Sequence, residues 1–253
     1  HIQYKDWGGK PLENGIDYLS LEYHSICNMR CSYCSPTYYG GHKSNYPVTS
    51  LVNEFIQNNL LEKTNYLVWG GGEPTLDRDF DEILSSIMNL KIGPRIRMIT
   101  NSTKFSPLIK KGIDEDRIFI VTSIDAGKPD TFKSVRGLNG FEKVFNNLCS
   151  YAEDNPKNVI IKYILNSEND NFSEIDCFIE AIQKYKLEEC NFQLSSDFKE
   201  EVIQSKRLSA IIYLYNKLKS ISVRFTFMDD LIIQRMPPIN EDLIKSINLQ
   251  LQN

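Results

Sequence analysis

Three thiols fall within one short stretch, Cys27-Asn28-Met29-Arg30-Cys31-Ser32-Tyr33-Cys34, spaced C-x-x-x-C-x-x-C directly after a short apolar run. Thiolates at this spacing can converge on one centre from a single loop, and soft sulfur ligands select zinc, copper(I) or iron-sulfur clusters. Structural zinc takes four tetrahedral ligands, often three cysteines and a histidine, and His24 stands close enough in the chain to be the fourth. Zinc ligands usually come as two separated pairs, however, and the remaining cysteines, Cys149, Cys177 and Cys190, are single and far apart. Three cysteines holding a four-iron, four-sulfur cluster leave one iron open, and an open iron is a place for a substrate or cofactor to bind. A disulfide framework belongs to small exported domains and does not suit a 253-residue chain with six scattered cysteines.

The second stretch with chemical potential is Gly70-Gly71-Gly72-Glu73-Pro74, which follows the apolar run Tyr66-Leu67-Val68-Trp69. Alone it is a strand-to-helix turn, since glycine supplies positive φ and proline can start a helix. Glycines also let a backbone come close to a ligand. Taken together and in this order, the two motifs resemble those of the radical S-adenosylmethionine (radical SAM) enzymes: C-x-x-x-C-x-x-C with an aromatic, here Tyr33, before the last cysteine, and G-G-E-P, here Gly71 to Pro74.

The resemblance implies that Cys27, Cys31 and Cys34 bind three irons of a [4Fe-4S] cluster while the amino and carboxylate groups of SAM chelate the fourth. It implies that Gly71, Gly72 and Glu73 contact the amino group of SAM and that Tyr33 lies beside the adenine. Ser123 and Asp125 would reach the ribose and Arg136 the SAM carboxylate; turn chemistry and a solvated arginine are the bland readings of those three. Asn101 and Lys162 are substrate-side candidates, Lys162 because a lysine inside Val-Ile-Ile-Lys-Tyr-Ile-Leu is costly to bury without a partner. The implied reaction is reductive cleavage of SAM to a 5'-deoxyadenosyl radical that takes hydrogen from a small molecule, sugar, nucleoside or peptide. An electron donor such as flavodoxin or ferredoxin is then required. Two rivals stay open: an activase acting on a protein partner, and a zinc-stabilised α/β binding module using His24.

These residues need elements to position them. Asp17 to Tyr23 predicts a strand running into the cysteine loop, Tyr66 to Trp69 a second ending at the glycines, Arg95 to Thr100 a third ending at Asn101, and Ile118 to Ser123 a fourth ending near Asp125. Val159 to Ile164 and Cys190 to Leu194 complete six. Between them, apolar residues recur at helical spacing, as in Phe80, Ile83, Leu84 and Ile87, and in Phe141, Val144, Phe145 and Leu148. Ser173 with Asp176 three positions on predicts a capped helix start, and Arg136-Gly137 is expected in a loop. Strands alternating with helices imply a parallel sheet, hence an α/β fold of partial (β/α)6 TIM-like barrel type. The expected organisation is a polar extension over residues 1–16, a barrel core over 17–200 and a C-terminal helix/strand extension over 201–253 packing on the barrel. In such folds ligands bind at the carboxyl ends of the strands, and every unusual residue named above falls there or in the adjoining strand.

Composition excludes little and fits this reading. A net charge of -4 lacks the basic footprint of a general nucleic-acid binder, and no apolar run approaches the roughly 20 residues of a membrane span. Unpaired cysteines without an export signal lead us to expect a reducing, cytoplasmic setting.

Overall fold

Short runs of β-branched and aromatic residues flanked by glycine, asparagine and proline make strands, and among the described residues they make seven. The computed structural model describes residues 17–252; the expected extension over residues 1–16 lies outside the described residues. The strands are β1 (Tyr18–Leu21), β2 (Tyr66–Trp69), β3 (Arg95–Ile99), β4 (Ile118–Ser123), β5 (Val159–Leu165), β6 (Asn191–Ser196) and β7 (Phe225–Met228). They form one sheet in sequential order, every neighbouring pair parallel. Among the described residues β1 and β7 each have a single strand neighbour, so the barrel is partial.

Helices α1 (Pro36–Tyr39) and α2 (Val48–Gln57) lie between β1 and β2, α3 (Phe80–Met88) between β2 and β3, and α4 (Pro107–Asp114) between β3 and β4. Helices α5 (Pro129–Arg136) and α6 (Phe141–Ala152) precede β5, α7 (Phe172–Lys184) precedes β6, and α8 (Ser205–Ser220) precedes β7. The chain continues into α9 (Asp230–Arg235) and α10 (Glu241–Leu251). No helix among the described residues is long and apolar enough to cross a membrane.

Side-chain alternation sorts the sheet into two faces. On β5, Val159, Ile161, Tyr163 and Leu165 enter the main core under the helices, where they meet Phe178 and Ile182 of α7 and Leu214 of α8. Ile160, Lys162 and Ile164 therefore face the inside of the barrel. The same alternation sends Ile96 and Met98 outward to the core and Arg97 inward.

Three features differ in detail from the sequence reading. The helix and strand expected within the C-terminal extension, about Ser205 to Lys219 and Val223 to Phe227, are α8 and β7, but β7 pairs parallel with β6 from Asn191↔Phe225 to Leu194↔Met228 and so extends the sheet instead of packing on it. Helix α7 begins before Ser173; Asn171 is its cap and accepts the Glu174 amide at 2.9 Å, because an asparagine two residues earlier already closes the first turn. Arg136-Gly137 ends a helix instead of lying in a loop. Pro129 opens α5, and Gly137, at φ 71°, stops it in the left-handed region.

Candidate active site at the strand ends

The cysteine loop is held on two sides by backbone hydrogen bonds. After β1 the chain runs beside the glycine turn, with the Gly72 amide donating to the His24 carbonyl at 2.9 Å and the Glu73 amide to the Ile26 carbonyl at 2.7 Å. Gly71 makes this turn at φ 88°. A Cβ on Gly72 would lie 2.3 Å from the Ile26 oxygen, so only glycine allows the two segments to lie this close. On the other side the end of α5 supports the loop: the Arg30 amide donates to the Arg136 carbonyl at 3.2 Å and the Ser32 amide to the Val135 carbonyl at 2.8 Å. The last carbonyls of a helix lack intrahelical partners, and here the cysteine loop supplies them.

Tyr33, Asp125 and Arg136, expected as separate contacts to a bound nucleotide, come together in one buried cluster. The Tyr33 hydroxyl donates to Asp125 Oδ2 at 2.6 Å, Arg136 Nη1 donates to the same oxygen at 3.0 Å and also to the Tyr33 hydroxyl, and the Ile164 amide donates to Asp125 Oδ1 at 2.7 Å. Burial pushes the Asp125 carboxyl up to about 8, against the pull of the Ile164 amide and the Lys162 charge, and the three donors satisfy its two oxygens in place of water. The aromatic ring of Tyr33 packs with Val135 and Ile164, and Cys31 and Cys34 lie against this small apolar cluster. The triad ties the cysteine loop to β4, β5 and α5.

Glu73 performs the matching task on the opposite side. Fully buried, it accepts the Thr75 amide at 3.2 Å, the Thr75 hydroxyl at 2.7 Å and the Thr100 hydroxyl at 2.8 Å on Oε1, and the Asn101 amide at 2.6 Å on Oε2. Burial pushes its carboxyl up and the four donors pull the other way. Asn101, expected on the substrate side, has its side-chain amide 3.8 Å from Cys27 Sγ and 2.8 Å from Asn28 Oδ1. Asn28, Thr100 and Thr103 went unnoticed in the sequence; Asn28 alone carried a signal, its place inside the cysteine loop.

The three thiols are half-buried and close enough for mutual repulsion. Burial, then the neighbouring thiols, push Cys34 up to about 11, while Cys31 is raised by burial against the pull of the Arg136 guanidinium. Cys27 Sγ receives the Met29 amide at 3.4 Å in addition to Asn101. His24 is turned to other work: its Nδ1 accepts the Ile26 amide at 3.2 Å. Among the described residues no three His, Cys, Asp or Glu side chains converge as ligands of a single ion. A cubane cluster is larger than one ion and takes its sulfurs further apart. Three thiols on one loop, N–H donors aimed at one of them and an apolar wall behind the others make a donor set that fits it.

Ser123, half-buried, stands in register with Lys162 on the inner face. The Lys162 ammonium meets Asp229 Oδ2 at 3.0 Å, and the same oxygen receives Gln193 Nε2 at 3.1 Å and Ser195 Oγ at 3.3 Å. Gln193 Oε1 is buried without a partner. Asp229 and Gln193 were not foreseen; their positions at the end of β7 and within β6 were the available signal.

A parallel partial barrel with a three-thiol loop at its carboxyl rim defines an enzyme class that carries its reactive centre on the first βα loop. The Radical SAM superfamily model matches residues 21–175, and the chain belongs to that superfamily, whose cofactors are a [4Fe-4S] cluster and SAM. Curated relatives include the GTP 3',8-cyclases of Aeromonas hydrophila subsp. hydrophila, 27% identical over 188 residues covering 70% of this chain and 55% of that protein, and of Psychromonas ingrahamii, 28% identical over 182 residues covering 70% and 52%. The chain thus spans about half the length of these relatives. Among solved structures, Streptococcus suis SuiB bound to S-adenosylmethionine superposes with a TM-score of 0.67 at 14% identity, covering 92% of this chain and 55% of SuiB. Native anSMEcpe with bound AdoMet and Cp18Cys peptide gives 0.60 at 16%, covering 83% and 63%. At these identities the likeness is one of fold.

Proposed function

We propose that this chain cleaves SAM reductively, with Cys27, Cys31 and Cys34 as the protein ligands of the cluster, and directs the resulting radical to a polar substrate inside the barrel. The observation that carries the reading is the backbone pairing of the glycine turn with the segment entering the cysteine loop, which sets both family motifs on one rim. When bound, the cluster and SAM together supply a 5'-deoxyadenosyl radical that abstracts hydrogen. The protein's own part is positional. Gly72, by its missing side chain, keeps two loops in contact; Glu73 and Asn101 brace them from β3, and the Tyr33–Asp125–Arg136 cluster braces them from β4 and β5. The apolar wall of Val135 and Ile164 backs Cys31 and Cys34. Because Glu73 and Asp125 are fully engaged by protein donors, their contribution to SAM is to shape its site.

On the substrate side we assign Lys162, with Asp229, Gln193 and Ser195. The Lys162–Asp229 pair, with side chains 19% and 16% exposed, meets what enters the barrel, so the substrate is one that offers hydrogen bonds. GTP, named for the curated relatives, and a peptide, as in SuiB bound to precursor peptide SuiA, are the first two to assay. A reductant such as flavodoxin or ferredoxin delivers the electron.

Anaerobically reconstituted protein is expected to contain about four irons per chain and to form 5'-deoxyadenosine and methionine from SAM under a low-potential reductant. Stoichiometric zinc with no SAM cleavage refutes the reading. Lys162→Met is expected to leave unstimulated SAM cleavage intact while lowering kcat/KM for the stimulating substrate by about tenfold or more, as loss of one charged contact does. An unchanged kcat/KM removes Lys162 from the substrate site.

A further inference from the structure

The orientation of the Asn101 amide is decided by its neighbours. The Thr103 backbone N–H can only donate, and it donates to Asn101 Oδ1 at 3.0 Å, with the Thr103 hydroxyl on the same oxygen at 2.7 Å. The nitrogen must therefore be on the other side, where its two hydrogens have two acceptors, Asn28 Oδ1 at 2.8 Å and Cys27 Sγ at 3.8 Å. Asn28 closes the ring by donating to the Thr103 hydroxyl at 2.9 Å. Asn101 is buried, and its own backbone amide is clamped by Glu73 Oε2 at 2.6 Å. Side chain and backbone are both fixed, so an N–H is held toward one sulfur of the three. Cys27 receives a second, from the Met29 amide at 3.4 Å; no side-chain nitrogen is hydrogen-bonded to Cys31 or Cys34 among the described residues.

Hydrogen bonds to cysteine sulfur draw electron density from the thiolate and stabilise the more negative, reduced state of an iron-sulfur centre. We infer that Asn101 is a positioning residue for the cluster: its side-chain N–H, presented to Cys27 and held by Thr103, Asn28 and Glu73, raises the cluster's reduction potential and so makes the electron easier to accept. The inference rests on the cysteine ligation proposed above. It gives the glycine turn a second role as well, since Glu73 is what anchors Asn101 in place.

The test is a potentiometric titration of the reconstituted, SAM-free protein followed by electron paramagnetic resonance of the reduced cluster. Asn101→Asp keeps the side-chain shape and the acceptor for Thr103 but turns an oxygen toward Cys27, and Asn101→Ser removes the N–H without adding charge. Both are expected to hold about four irons and, at a fixed potential near the wild-type midpoint, to show about tenfold less reduced relative to oxidised cluster, a downward shift of about 59 mV for one electron. Full iron content with an unmoved midpoint in Asn101→Ser overturns the inference. Loss of iron from both variants, with circular dichroism unchanged, overturns it too, placing Asn101 among the groups that hold the loop. Wild-type protein without a four-iron cluster would fail at the first iron assay, which separates failure of the ligation reading from failure of this one.

Discussion

Cys34→Ala is expected to abolish SAM cleavage and reduce bound iron from about four per chain to below one, while the metal-free protein melts within a few degrees of metal-free wild type. The loss of iron follows from the ligand count: a cluster with only two protein thiolates and an open iron has too few anchors. The preserved fold follows from where the loop's energy lies. Its backbone is fixed by the Cys34 amide on the Cys31 carbonyl at 3.0 Å, Ser32 on Val135 at 2.8 Å and Glu73 on Ile26 at 2.7 Å, and none of these needs a sulfur. Half-buried Cys34 loses only a small contact with Tyr33, Val135 and Ile164, and removal of one small, partly exposed group costs about 1 kcal/mol or less. Iron analysis and differential scanning calorimetry on metal-free protein are the two measurements. A collapse of the melting temperature in step with the loss of iron would mean that the thiols carry structural load, and the separation drawn here would fail.

Asp125→Ala is expected to behave in the opposite way, destabilising the metal-free fold by about 3–5 kcal/mol. Removing this carboxylate strands the Arg136 guanidinium, whose side chain is only 7% exposed, and withdraws the acceptor from the Tyr33 hydroxyl and the Ile164 amide. Asp125 also sits at φ 59°, a left-handed conformation that alanine tolerates less well than aspartate or asparagine. For a chain of this size the loss corresponds to a melting temperature lower by on the order of 10 °C. Asp125→Asn keeps the Ile164 contact and the left-handed preference, and is expected to recover part of the stability. Urea unfolding of metal-free wild type and the two variants checks the order; Asp125→Ala within 1 kcal/mol of wild type, by the usual scale of a buried-pair deletion, would show that the triad is not a structural brace.

Read together, the two variants divide the site into parts that do chemistry and parts that hold it. The sequence showed the first division readily. Cysteine spacing is a local property, and soft ligands inside one loop carry their chemistry wherever the loop sits. The same holds for the glycine turn, for the strands whose alternation marks them, and for helices such as α3 and α6 with apolar residues at helical intervals. Signals near the ends of elements were weaker. Pro129 and Gly137 bracket α5, yet a segment of this length with few apolar residues has no clear periodicity, and at α7 the cap signals of Asn171 and Ser173 overlap two residues apart.

Tertiary structure alone decided which polar residues work together. Tyr33, Asp125 and Arg136 are separated by as many as 103 positions, and each alone has the look of a ligand contact; only the fold reveals that they satisfy one another. Asn101 was likewise read from its place at a strand end, but the direction of its amide depends on Thr103, Asn28 and Cys27 meeting in space. Lys162 advertised its need for a partner, and the partner, Asp229, follows a strand whose pairing with β6 no local pattern specifies. Local spacing determines what a group of residues can bind, because ligand geometry is local. Desolvated charges, by contrast, are satisfied by whatever distant donors the folded sheet brings beside them, and that is settled only when the chain has folded.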